Sequence, residues 1–250
     1  MQDEERLSKF IGLAILFALF GTDIVYELIF QTLNLLHWAT GNDAIGALLS
    51  ALFETSAISD VFWGLVMLAT AALAYWFIRQ FRLTYLVANP GRTDPKMLVV
   101  ILLVVLFDYI GSFGLANFFY WITGQTDADI YRPGYEYEPT WLLLPSDLFL
   151  GVIAAPISEE FLFRGVLMGV LFARGWKPAP AILFSAALFA LSHVQYQPIG
   201  VIVVFFSGCL LGLLRCYSGG LWAPIIAHAL INAIITFGDV WGLVYGASEA

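Results

Sequence analysis

Charge is scarce in this chain. Only 12% of its 250 residues are Asp, Glu, Lys or Arg, against 60% that are hydrophobic; a soluble domain carries about 25% charged and about 45–50% apolar residues. A water-soluble globule is thereby excluded. Basic residues are scarcer still: 11 Lys and Arg face 19 Asp and Glu, a net charge of −8. That balance removes nucleic acid from the partners, because binding it takes a basic surface. The only cysteines, Cys209 and Cys216, lie in or beside one apolar stretch. They read as small hydrophobes, and neither a Cys-x-x-Cys nor a His-Glu-x-x-His metal signature occurs. Ten-residue strands of alternating polarity are also missing, which excludes an outer-membrane barrel. With no repeat, low-complexity linker or long polar stretch, residues 1–250 read as a single membrane domain.

What the chain has instead is long apolar runs. Several exceed the roughly 20 residues a helix needs to cross a bilayer, so the expected fold class is all-α, a polytopic transmembrane helix bundle of about 7–8 spans. Seven spans are read at 10–36, 61–78, 97–122, 141–172, 180–196, 199–214 and 221–237; the short apolar stretch 44–58, holding Glu54, reads as interfacial or re-entrant. The mixed charges of the first nine residues and the length of the following run favour a retained first helix over a signal peptide. Arg79, Arg82, Arg92 and Lys96, then Arg174 and Lys177, then Arg215, fall on one side of the seven-span layout. The positive-inside rule makes that side cytoplasmic. The opposite loop, 123–140, carries Asp127, Asp129, Glu136 and Glu138 against Arg132, and all eight tryptophans fall near span ends, as an aromatic belt does. The expected location is therefore multi-pass in a cell (cytoplasmic) membrane, with the lipid bilayer as constant partner.

Inside the apolar run 141–172 stand Glu159, Glu160 and Arg164. An Asp, Lys or Arg at the centre of a membrane helix costs about 2.5–3.5 kcal/mol on insertion scales, so ionisable groups there pair or face a wet cavity and mark a functional site by default. Glu160 and Arg164 are four apart and share a helix face, an ion pair that by itself suits helix packing as well as chemistry. Glu159 is turned about 100° away, and Pro156 stands where it loosens the helix before the acids. Two further polar positions lie in other spans: His193, four residues after Phe189, and His228 with Asn232 one turn on. Taken singly, each suits helix–helix hydrogen bonding. At about 1.5 Å per residue, however, Glu159, His193, His228 and Asn232 reach similar depths, roughly 10–20 Å from the cytoplasmic ends. A carboxylate shielded from water suits a general base. Glu159 with His193 can hold and deprotonate a water, and His228 with Asn232 can donate to the oxyanion formed when water attacks a carbonyl. Ser192 next to His193 is not expected to form a dyad, since adjacent helical residues do not face each other. A zinc site from Glu159, His193 and His228 is chemically possible, but the absent metalloprotease signature weighs against it.

Glu159-Glu160-x-x-x-Arg164, Phe189-x-x-x-His193 and His228-x-x-x-Asn232 resemble the three motifs of the CAAX-protease and bacteriocin-processing (CPBP or Abi) family, which includes the Ras-converting prenyl-protein endopeptidases. The resemblance covers about residues 140–240, leaving 1–139 as accessory transmembrane helices. It implies an intramembrane glutamic endopeptidase without a metal or other cofactor. Glu159 and His193 would position the water, His228 and Asn232 would build the oxyanion hole, and Glu160 and Arg164 would support them. The implied partner is a lipidated or membrane-inserted peptide, cut near its C-terminus from the cytoplasmic side. A proton-coupled transporter uses the same residue types, although no repeat of matched broken helices is visible; a non-catalytic immunity or scaffold protein is the third reading. Asp23, Glu27 and Asp108 also fall in spans, facing the bundle interior or an interface, with Asp108 a candidate second partner for Arg164.

Overall fold

The computed structural model describes residues 2–54, 56–124 and 144–246, all helix, turn or loop. The acidic loop at 123–140 lies almost wholly outside the described residues, as does the start of the fourth expected span. In chain order the helices are α1 (Gln2–Ser8), α2 (Ile11–Thr40), α3 (Asp43–Glu54), α4 (Ser56–Gln80), α5 (Thr84–Val87), α6 (Pro95–Thr123), α7 (an unbroken rod over 144–173), α8 (Pro178–Leu191), α9 (Pro198–Ser218) and α10 (Trp222–Gly246). The chain is an all-α integral membrane protein, with α2, α4, α6 and α9 long and apolar enough to cross a bilayer. At 12 residues α3 reaches only about 18 Å, short of the roughly 30 Å hydrocarbon core.

The ends of these helices follow from local chemistry. Pro95, Pro178 and Pro198 each begin a helix after an extended residue, where the missing N–H is harmless and φ is already helical. Gly41, Gly124 and Gly219 end helices in the left-handed conformation, each donating its N–H to a carbonyl of the last turn. One span ends earlier than the sequence suggests. Helix α8 stops at Leu191, so His193 lies in the turn beyond it and not inside a helix running to 196.

Small residues set the packing. Gly21 of α2 meets Thr70 of α4, while Phe10 meets Phe77 and Tyr26 meets Trp63, an antiparallel pair. Gly208 and Gly212 of α9 lie against Ala186 and Ile182 of α8, the close approach that membrane helices use in place of a hydrophobic drive. One apolar cluster joins α1, α2, α4, α7 and α8; a second joins α6, α9 and α10 through Met97, Ile101, Val105, Leu211, Leu214, Ala223, Ala227 and Ile231. Between them a strap, residues 83–94, crosses onto the C-terminal helices. Leu83 and Val87 are fully buried, the Val87 carbonyl fits where Gly165 lacks a side chain, and backbone bonds tie Leu221 to Asn89 and Arg92 to Ser218.

The rod α7 carries the acids and is irregular where they sit. Its stretches Phe149–Ala154 and Glu160–Leu167 are π-helical, a wide-turn form that recurs at functional sites. The cause of the first is legible at Pro156. The Ala155 N–H bonds five residues back to Leu150; the next bond in that register needs an N–H from Pro156, which has none. The Gly151 carbonyl thereby left open accepts from Asn232 Nδ2 of α10 at 2.7 Å.

Candidate active site

Glu160 and Arg164 are completely buried, and every contact they make is local or to a neighbouring helix. Arg164 Nη1 donates to Glu160 Oε1 at 3.0 Å, Nη2 donates to the Gly208 carbonyl of α9 at 3.0 Å, and the guanidinium lies 4.4 Å from the centre of the Phe189 ring on α8. Arg215 in turn donates to the Arg164 carbonyl. Two charges removed from water and hydrogen-bonded in this way pin α7, α8 and α9 together. Asp108 is not among the partners found for Arg164; it is buried on α6 and engages Ser207 of α9. Asp23 and Glu27 are exposed on α2, not turned into the bundle.

The same Glu160 oxygen accepts a second contact, from His228 Nδ1 at 2.9 Å. The other ring nitrogen, Nε2, lies 3.8 Å from Glu159 Oε2. His228 therefore sits between the two adjacent carboxylates, one bonded and one within charge range. The acids differ in access: the Glu159 side chain is 16% exposed and that of Glu160 is 0% exposed. Only Glu159 can meet an incoming molecule.

His193 is held from the other side. Its Nδ1 lies 2.8 Å from the Phe189 carbonyl, which only accepts, so Nδ1 carries the proton and Nε2 keeps its lone pair. The Phe189 ring packs edge-on against both imidazoles, 4.8 Å from His193 and 5.9 Å from His228. Ser192 Oγ lies 3.2 Å from His193 Nδ1, contrary to the expectation from helix geometry, because the helix has already ended at Leu191. The contact reaches the nitrogen committed to Phe189, however, and the hydroxyl itself donates to that carbonyl at 2.8 Å. No direct hydrogen bond joins Glu159 to His193 among the described residues. The structure thus gathers Glu159, Glu160, Arg164 and His228 into one polar chain, with His193 beside it across Phe189 and Asn232 one turn from His228. Among the described residues no three His, Cys, Asp or Glu side chains are arranged to hold a metal ion. Sequence reasoning missed the Glu160–His228 bond, since nothing in residue spacing tells which of two adjacent acids a histidine 68 positions away selects.

A polytopic helical membrane protein with a charged, hydrogen-bonded centre inside its bundle is what fold and site define. Residues 140–234, the segment bearing all three motifs, match the Rce1-like family, described as type II CAAX prenyl endopeptidase Rce1-like. The chain is also similar to an "Uncharacterized 24.3 kDa protein" of Escherichia coli, 36% identical over 78 residues, 30% of this chain and 36% of that protein. It is 26% identical over 132 residues to the "Putative membrane peptidase YdiL" of Bacillus subtilis (strain 168), 50% of this chain and 53% of that one. The chain therefore spans between about a third and about half the length of these curated relatives. No solved structure matches.

Proposed function

We propose that this protein is an intramembrane glutamic endopeptidase that hydrolyses a peptide bond near the C-terminus of prenylated (CAAX-type) or other membrane-associated peptides. The observation that carries this reading is the division of labour between adjacent acids: Glu160 is sealed against Arg164 and His228 while Glu159 stays reachable. The family match over 140–234 and the membrane-peptidase name of the Bacillus relative support it.

In this mechanism Glu159 accepts a proton from a water that His193 Nε2 orients, and the resulting hydroxide attacks the substrate carbonyl. The carbonyl oxygen becomes an oxyanion, stabilised by His228 and by the second N–H of the Asn232 amide. Collapse of the intermediate breaks the C–N bond, and Glu159 passes its proton to the leaving amine. One consequence is specific to this geometry. With Nδ1–H donated to Glu160, a neutral His228 presents only a lone pair at Nε2. Donation to an oxyanion therefore uses the ring with both nitrogens carrying hydrogen. Glu160 and Arg164 fix that ring without touching substrate.

The test is incubation of the purified chain in lipid nanodiscs with a farnesylated CAAX peptide and, separately, an unprenylated membrane-inserted peptide, with products read by mass spectrometry. A new C-terminus within a few residues of the end is the expected result. A proton-coupled transporter would instead give pH-gradient-dependent flux in liposomes and no cut peptide.

A further inference from the structure

Two carbonyls at the end of the second wide turn of α7 are taken by side chains from other helices. In α-helical register the Met168 N–H would bond to the Arg164 carbonyl, four residues back. It bonds instead to Phe163, five back, and to Gly165, so the Arg164 carbonyl loses its regular donor. Arg215 Nε of α9 donates to that carbonyl at 3.2 Å, and Ser185 Oγ of α8 donates to the Phe163 carbonyl at 3.2 Å. Both side chains are buried, Arg215 at 7% and Ser185 at 1% exposure, and neither stands in one of the three motifs. Arg215 is the costlier of the two to place. A buried cation is unfavourable unless it is paired, and no carboxylate pairs with this one among the described residues. What its burial returns is the Nε–H, a donor for the carbonyl that the wide turn leaves behind.

That bond heads a chain of contacts that ends at the reacting groups. The Arg164 side chain donates to Glu160 Oε1 at 3.0 Å and to the Gly208 carbonyl at 3.0 Å, and the same Glu160 oxygen accepts from His228 Nδ1 at 2.9 Å. Closing the turn to α-helical register rotates Arg164 about the axis of α7, and its two acceptors lie on different helices, so it cannot keep both. We propose that Arg215 is a positioning residue for cleavage, a role that rests on the peptidase reading above. Its Nε–H holds the wide turn open at Arg164, so that Arg164 secures Glu160 and Glu160 aims the His228 ring at the oxyanion. Arg215 acts through Arg164 and touches no reacting atom. The role needs a donor at the Nε position and does not need the charge.

Three substitutions separate donor from charge. Arg215→Gln carries its amide nitrogen as many bonds from the backbone as Arg Nε, so it keeps the donor and drops the charge. Arg215→Met has similar reach with neither. Arg215→Lys keeps the charge but sets a methylene where Nε stands. With the farnesylated peptide, Arg215→Met and Arg215→Lys are expected to lower kcat per folded molecule about tenfold or more with KM nearly unchanged, and Arg215→Gln should recover most of the rate. A second measurement needs no turnover. The ring 15N spectrum of His228, one of three histidines and assigned through His228→Gln, is recorded on the full chain in nanodiscs at fixed pH. Arg215→Met should move the Nδ1–H signal that reports the bond to Glu160, and Arg215→Gln should return it toward its wild-type place. Wild-type kcat in Arg215→Met would overturn the proposal, as would a loss that follows charge, with Arg215→Lys active and Arg215→Gln impaired. So would lost stability with kcat per folded molecule and the His228 signal both unmoved, which marks a mere tie between helices. If the wild type cleaves nothing, the peptidase reading fails, and the His228 signal still decides whether Arg215 governs that ring.

Discussion

Replacing Arg164 with methionine tests whether the buried ion pair organises the site. An exposed pair four residues apart on a helix contributes about 0.3–0.5 kcal/mol. Here both partners are wholly buried and the arginine makes three contacts: Glu160 at 3.0 Å, the Gly208 carbonyl at 3.0 Å and the Phe189 ring at 4.4 Å. Removing one partner of such a pair leaves an uncompensated charge, a loss of about 3–5 kcal/mol. The methionine refills most of the volume, so the loss reports electrostatics and not a cavity. Adding Glu160→Gln removes the stranded charge while its amide oxygen still accepts from His228 Nδ1. The double variant should therefore be more stable than Arg164→Met alone, with a coupling of about 2 kcal/mol. Reversible unfolding of the purified protein by steric trapping in bicelles measures both quantities. A loss below about 1 kcal/mol, or additivity within about 0.5 kcal/mol, would refute the reasoning.

Other predictions follow from single contacts. Gly220→Ala should open the strap: the added methyl meets the backbone of Pro90 and Gly91, which cannot swing aside. It should destabilise by more than Gly219→Ala, whose methyl meets nothing and pays only for the left-handed φ of 71°, about 1 kcal/mol; thermal melts with proteolysis at 83–94 separate the two. Asn232→Leu strands the Gly151 carbonyl, at about 0.6–1.7 kcal/mol on the scale of membrane hydrogen bonds. Pro156→Ala supplies the missing N–H, so the double variant should regain stability yet still fail to cleave if Asn232 also serves the oxyanion. Ser192→Ala should change cleavage by less than about threefold, since the Phe189 carbonyl still holds His193; a fall of about 10³ or more would reveal a serine nucleophile.

Much of this arrangement was legible in residues 140–240 because membrane burial makes polar residues conspicuous. Spans could be laid out from apolar runs, whose starts at 97, 180 and 199 fall within a few residues of the prolines that begin α6, α8 and α9. The Glu160–Arg164 pair follows from four-residue spacing alone. What spacing could not give is the tertiary choice among equivalent partners: His228 selecting Glu160, Asn232 serving Gly151, and Asp108 turning to Ser207 instead of Arg164. Each depends on helix rotation, and although Pro156 marks where α7 loosens, its residue type does not tell how far the π-helical stretches on either side turn the faces. The turn at Ser192 and His193 was hidden for a related reason, because the apolar pattern before it carries no glycine or proline stop.

The central claim is that Glu159 activates the water, and the most direct measurement is the single-turnover cleavage rate of Glu159→Gln against wild type, both checked for equal unfolding stability. Glutamine keeps the size of the side chain and removes the base. A fall of at least about 10² in rate with stability unchanged is the predicted result. Equal rates in the two proteins, or a wild type that cuts neither prenylated nor unprenylated membrane peptides, would contradict the account.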